Sequence, residues 1–308
     1  MATAVSIIHA VVELNLIRGL TQSALNLLLK LSVMKKIIAA IGLLSAPAVV
    51  LADGSASLLP HATTNLTLSV INGSAGDFFI NEESTDLGGD ITQTYVWFKA
   101  RYGYDDIWEF DFRTGYAEAE FETNPEDESD IADTTFGVSY QFINEFELDN
   151  GLPTITGRLA YTIGGDYETD VIEAIGDGAN GFDVSLLAGK SITRTVSLFG
   201  DLTFRQRNED VADAIKYLVG AFYSTPIRGL GIQAAVGGIR TDSDINIGDP
   251  GFGVEQFPQT DRDQDLLIGG ANYGFGNGFS LGATYTILLD GKNVPDTDVI
   301  SVTAGYSF

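Results

Sequence analysis

Residues 298–308 read D-V-I-S-V-T-A-G-Y-S-F, and the alternation in this stretch decides the fold. Ile300, Val302, Ala304, Tyr306 and Phe308 are apolar at every second position, with Val299, Ser301, Thr303, Gly305 and Ser307 between them. Successive side chains of a strand point to opposite faces, so these residues make a strand with one apolar face and one small, mostly polar face. A half-buried strand of a soluble sheet would show the same pattern, so the rest of the chain has to separate the two settings.

The same alternation recurs along the chain. Twelve segments carry it, at about 64–72, 91–103, 106–121, 134–143, 153–164, 181–192, 195–206, 214–224, 229–240, 265–275, 278–289 and 298–308. In the third, Trp108, Phe110, Phe112, Thr114 and Tyr116 oppose Glu109, Asp111, Arg113 and Gly115. Segments of ~10 residues, apolar on one face and polar on the other, are the signature of transmembrane barrel strands. The connections alternate between short and long. Short ones fall at Tyr104-Asp105, Thr193-Arg194, 226–228 and 276–278, with a moderate one from Glu145 to Leu152. The long ones are 73–90, 122–133, 165–180, 207–213, 241–264 and 290–297, and acid collects there: 73–90 holds Asp77, Glu82, Glu83, Asp86 and Asp90 with no Lys or Arg. Aromatic residues, among them Trp97, Tyr102, Trp108, Tyr140 and Phe142, fall near strand ends as an interfacial girdle requires. The fold expected is all-β: a transmembrane antiparallel up-and-down barrel of about twelve strands, with ten or fourteen as the even alternatives.

The front of the chain is separate. From Met34 the sequence runs M-K-K-I-I-A-A-I-G-L-L-S-A-P-A-V-V-L-A-D. A basic start, a short apolar run and small residues before the cut make residues 34–52 a secretory signal peptide cleaved between Ala52 and Asp53. The run is too short and too broken for a spanning helix, which needs ~20 apolar residues. Residues 1–33 read as an upstream extension from a start assigned too early, with a genuine N-terminal extension to the signal as the alternative, and either way 53–308 is a single barrel domain.

Composition narrows the function. The 308 residues include no cysteine, which excludes disulfides and thiolate chemistry, and carry a net charge of −25, which excludes phosphate-backbone binding of nucleic acid. The two histidines, His9 and His61, lie outside every alternating segment, so no serine has a base placed beside it and no enzyme is expected. Residues 242–253 resemble a calcium loop only in part, because Gly248 is displaced and the closing Glu is missing; no metal site and no cofactor follow. Divalent cations are expected only diffusely, at the acidic connections.

The signal peptide, the strand pattern and the terminal Tyr306-Ser307-Phe308 resemble Gram-negative outer-membrane β-barrels of the porin-like class. That resemblance implies that Tyr306 and Phe308 form an assembly signal. It also implies periplasmic chaperones, the barrel-assembly machinery, and contact with outer-membrane lipid and lipopolysaccharide. In such a barrel the inward polar face is the working surface. Lys99, Arg101, Glu109, Asp111, Arg113, Arg158, Asp183, Asp201 and Arg205 are the candidate pore-lining residues, with Lys216 less firmly placed. A turn centred on Asp105 would set Arg101 opposite Glu109, Lys99 opposite Asp111 and Trp97 opposite Arg113. Residues 241–264, the longest connection, are the best candidate for a loop that folds inward. The function expected is passive diffusion of small hydrophilic solutes. The alternative is a non-conducting structural or adhesion barrel whose acidic loops do the work.

Overall fold

Alternation becomes strand pairing from Thr64 onward. The computed structural model describes residues 54–124, 127–147, 151–169, 171, 174–208 and 210–308. The expected extension, signal peptide and cleavage site at Ala52 and Asp53 lie outside the described residues.

The strands are β1 (Thr64–Ile80), β2 (Glu83–Gly103), β3 (Trp108–Phe121), β4 (Glu128–Ile143), β5 (Thr154–Ile163), β6 (Gly181–Ser191), β7 (Val196–Arg207), β8 (Asp213–Ser224), β9 (Leu230–Asp242), β10 (Asp263–Gly274), β11 (Phe279–Lys292), β12 (Val294–Pro295) and β13 (Asp298–Ser307). Leaving β12 aside, each strand pairs antiparallel with the next in the chain, β11 with β13 included, and β1 pairs with both β2 and β13, which closes a barrel of 12 strands. The extra strand, β12, touches only the far end of β1. The seam runs to the last residue: Thr64 N–H donates to Phe308 O at 2.8 Å, and Phe308 N–H returns to Thr64 O at 3.0 Å.

The alternation read from sequence now has a direction. Leu68, Phe110, Leu159, Val184, Leu202, Val219, Val236 and Leu281 all project from the outer surface and are exposed. Putting the other face outward would send the charged residues into hydrocarbon, at ~2–4 kcal/mol for each midplane Arg or Lys. At the short-turn end the outer band finishes in a collar of rings. Trp108 packs on Tyr140 at 4.7 Å, Tyr140 on Phe142 at 4.9 Å, Tyr273 on Phe275 at 4.8 Å and Tyr306 on Phe308 at 5.6 Å. Trp97 does not belong to that collar. It faces the interior, stacked against Tyr95 at 6.0 Å.

Two of the long connections are shorter than expected. Most of 73–90 is strand, with β1 and β2 continuing past the apolar band to a turn at Asn81 and Glu82. After β3 the ladder resumes at Glu128, inside the connection expected at 122–133. Above the band both faces of a hairpin meet water, so backbone pairing continues where hydrophobic alternation has stopped.

Candidate functional site

The parity that turns leucines outward turns the charges inward, and it does so on one side of the barrel. Lys99 and Arg101 on β2, Glu109, Asp111 and Arg113 on β3, Arg158 on β5, Asp183 on β6, Asp201 and Arg205 on β7 and Lys216 on β8 all occupy interior positions. Most are buried, Arg158 and Glu109 to 4 % exposure and Lys216 to 2 %.

Near the turn end, Arg101 Nε and Nη2 donate to the two oxygens of Glu109 at 2.7 and 2.8 Å. Arg158 makes the same two-pronged contact with Asp111, at 2.7 and 2.8 Å. This second pair reaches across β4 and passes over Gly137, where a Cβ would stand 2.2 Å from Asp111 Oδ2 and 2.6 Å from Arg158 Nη2. Only glycine leaves room for the bridge. Two parallel N–H···O contacts also fix orientation, which a lysine could not do.

The register differs from the sequence expectation by two residues. Arg101 stands opposite Asp111, Lys99 opposite Arg113, Trp97 opposite Gly115 and Glu109 opposite Gly103. The cause is the turn. Asp105 Oδ1 accepts from Ile107 N at 2.9 Å and Trp108 N at 2.7 Å, which centres the hairpin on Asp106 rather than Asp105. Parity is preserved, so the charges stay inside, and the Arg101–Glu109 contact forms diagonally instead of face to face.

Two connections fold into the loop end of the barrel. One spans 164–180, between β5 and β6. Gln93 Nε2 donates to Ala174 O at 2.9 Å and Tyr95 OH to Ile175 O at 3.0 Å, while Tyr167 OH donates to Asp133. The other spans 243–262 and includes a 3-10 turn at Val254–Gln259. It is tied down by Asn293 Nδ2 to Asp261 O at 2.8 Å and by Lys292 Nζ to Asp261 at 2.5 Å. The inward turn of the longest connection agrees with expectation; that of 164–180 was not anticipated.

Asp177 joins the two loops to the wall. Its carboxylate meets Arg262 Nη2 at 2.9 Å and Arg205 Nη1 at 3.5 Å, and Arg205 and Arg207 in turn reach Asp183 at 3.6 and 2.8 Å. Burial pushes the Asp177 carboxyl upward, but the guanidinium groups of Arg262 and Arg205 outweigh it and hold the pKa at about 2, below an ordinary 3.8. Between loops and wall lies a cavity of about 310 Å³, lined among others by Trp97, Arg113, Asp177, Arg205, Lys216 and Arg262. The Arg113 guanidinium lies over the Trp97 ring, 4.6 Å from its centroid. The charged lining of this cavity is thus built from strand and loop residues together. Asp133, Asp177, Arg207 and Arg262 are the members that sequence reading missed. Arg207 shares the parity of Arg205, and extending β7 by one residue would have found it.

The opposite wall carries no charge on the interior positions of its turn half. There Thr67, Ser69, Gln233, Asn272, Ser280, Gly282, Thr303 and Gly305 face inward, and Asn272 is exposed to the lumen. Higher up, Leu218, Ala235, Leu266 and Leu288 pack into an apolar cluster with Val294.

Among solved structures, an outer membrane channel from Pseudomonas putida F1 is similar over 83 % of this chain and 99 % of that one, with a TM-score of 0.66 at 15 % identity. The β domain of the Bordetella autotransporter BrkA is similar over 80 % of this chain and 100 % of that one, with a TM-score of 0.50 at 15 % identity. No family model matches, and no curated protein matches. At this identity the likeness is one of fold: the chain has the architecture of the outer-membrane β-barrels.

Proposed function

We propose that the chain is a porin-like channel of the bacterial outer membrane, through which small hydrophilic solutes diffuse passively. The observation that carries this is the solvent-facing lining of the uncharged wall. Asn272, Ser280 and Thr303 are exposed or half-buried inside the barrel, while the outer surface is a belt of leucine, valine and aromatic side chains. Barrels of eight strands are filled by their side chains and those of sixteen hold a wide channel, so 12 strands suit a narrow one. Arg113, Arg205, Lys216 and Arg262 line the same cavity as Asp177, a charged lining that would filter solutes by charge as well as by size. The chain would sit with its short turns toward the periplasm and its acidic hairpins outward. It would reach the membrane through periplasmic chaperones and the barrel-assembly machinery and contact lipopolysaccharide there.

A second reading is a non-conducting barrel whose acidic hairpins are the working surface. The inward loops and the Asp177 latch favour it, because they fill much of the loop end. Planar-bilayer recording of purified, heat-modifiable protein separates the two. Discrete current steps are the expected result; silence with the N-terminal residues 54–60 either present or removed would leave the second reading.

A further inference from the structure

We propose that residues 54–60, ahead of the first strand, form a strap that seats in the turn-end mouth of the lumen and occludes the charged wall. The segment reads G-S-A-S-L-L-P and enters from the end of the barrel where the turns are short. Three hydrogen bonds hold it. Leu59 N donates to Glu109 Oε2 at 2.8 Å, and the carbonyl of Ala56 accepts from Gln141 Nε2 at 3.0 Å and from Thr156 Oγ1 at 2.7 Å. These anchors come from β3, β4 and β5, and further contacts lie on β5 and β6. A side chain at Gly54 would overlap Leu187 and press on Arg158, and a Cβ at Gly189 would stand 3.2 Å from the Ala56 Cβ. Both glycines match the close approach.

Burial points the same way. Thr156 is 0 % exposed and Glu109 only 4 %, although both face the inside of a barrel. On the far wall, near the same end, Asn272 is exposed and Ser280 half-buried. The strap therefore covers one half of the mouth and leaves the uncharged half open. Glu109 serves it twice: one carboxylate accepts the bidentate contact from Arg101 and the strap's N–H. The small residues at 54–57 suit a narrow passage. At the mouth, Gly103 N and O bond to Thr63 O and Ala62 N, fixing the point at which the strap leaves the rim.

The strap is read directly by thiol chemistry, because the chain has no native cysteine. Thr156→Cys is introduced into the full chain and into a chain lacking residues 54–60, each verified as a folded, heat-modifiable barrel. Labelling with a small charged methanethiosulfonate should be at least tenfold faster without the strap. A second variant, Ala56→Cys with Gly189→Cys, places two Cβ atoms 3.2 Å apart, a few tenths of an ångström inside the usual disulfide span, and should cross-link when a mild thiol oxidant such as copper phenanthroline is added to take up the two electrons. Current is recorded from the same full and shortened chains, and its expected rise on shortening rests on the channel reading. Equal labelling rates, no cross-link in the folded barrel, or unchanged current steps would each overturn the strap. Faster labelling with silence from both chains would leave the strap standing and remove the channel reading instead.

Discussion

The two halves of the lumen solve the same problem in opposite ways. From β2 to β8 the wall is built from arginines and carboxylates that bond across strands and over Gly137. From β9 round to β1 it is built, in its turn half, from glycine, serine and threonine. The charged half is the one that carries structure: it seats the residues ahead of β1, anchors the loop at 164–180 and links that loop to the 243–262 loop through Asp177. The uncharged half carries little beyond its own ladder and leaves room for water. A charge inside a barrel is therefore first a fastener. Whether it also filters solutes depends on what it is fastened to.

Breaking the strongest fastener should have the largest effect. Arg158→Met strands Asp111, which is 8 % exposed, without its two-pronged partner. Leaving one buried partner charged typically costs ~3–5 kcal/mol, and the loss should appear as a lower urea midpoint for the heat-modifiable form. Replacing both partners, Arg158→Met with Asp111→Leu, should recover much of it. A midpoint for the single variant within error of the parent would show that the pair holds nothing.

Glycines on the two walls give a matched comparison. Gly137→Ala pushes a methyl to within 2.2 Å of Asp111 Oδ2, whereas the nearest atom to a Cβ at Gly282 is 3.6 Å away. Overpacking of the first kind costs ~1–3 kcal/mol, and Gly282→Ala should fall within ~0.5 kcal/mol of the parent. Equal midpoints for the two would dissolve the distinction between the walls.

The Asp177 latch should be pH-dependent in one direction. Its carboxyl is held at about 2 in the folded protein, below an ordinary 3.8. The latch is therefore at full strength above the ordinary value and weakens as pH falls toward about 2. That difference is worth about 2 kcal/mol at neutral pH. Protection of the 164–180 loop from a broad-specificity protease should survive to about pH 4 and be lost in Asp177→Asn at pH 7. A loop equally resistant in that variant would mean that Gln93 and Tyr95 alone hold it.

The smallest effect expected is on ion selectivity. Replacing Lys99, Arg101 and Arg113 together by Ser should shift the reversal potential modestly toward cations, while Thr284→Ser on the other wall should leave it unchanged. If the triple replacement alters neither conductance nor reversal potential, those residues do not border the permeation path.

Much of this was legible in the residues. The alternation in 108–116 separates the lipid face from the lumen without error, because the apolar belt and the charged interior demand opposite parities. Register was legible only to parity. Two extra hydrogen bonds at Asp105 moved the hairpin centre by one residue, and alternation is blind to shifts of two. The loop contacts were not legible at all. Arg262 and Asp177 lie 85 residues apart, and nothing local to either marks the other. The glycines of 269–278 look alike in sequence and differ in place: Gly269 and Gly274 have open space where a side chain would go, a Cβ at Gly270 would stand 2.8 Å from Thr284 Cγ2, and Gly276 and Gly278 serve a turn with φ of +77° and +87°.

The seam between β1 and β13 fixes an order of events. Asn65 Nδ2 donates to Ser307 Oγ at 2.9 Å, across 242 residues of chain. During N-to-C synthesis the first strand is made long before the partner that closes it. Until Phe308 arrives to share its two backbone bonds with Thr64, one edge of β1 is an unpaired row of donors and acceptors, open to any passing strand. Closure cannot be approached piecemeal, because the last ladder to form is the most distant one in the sequence. For this barrel, the slow and vulnerable interval is a wait for its own C-terminus.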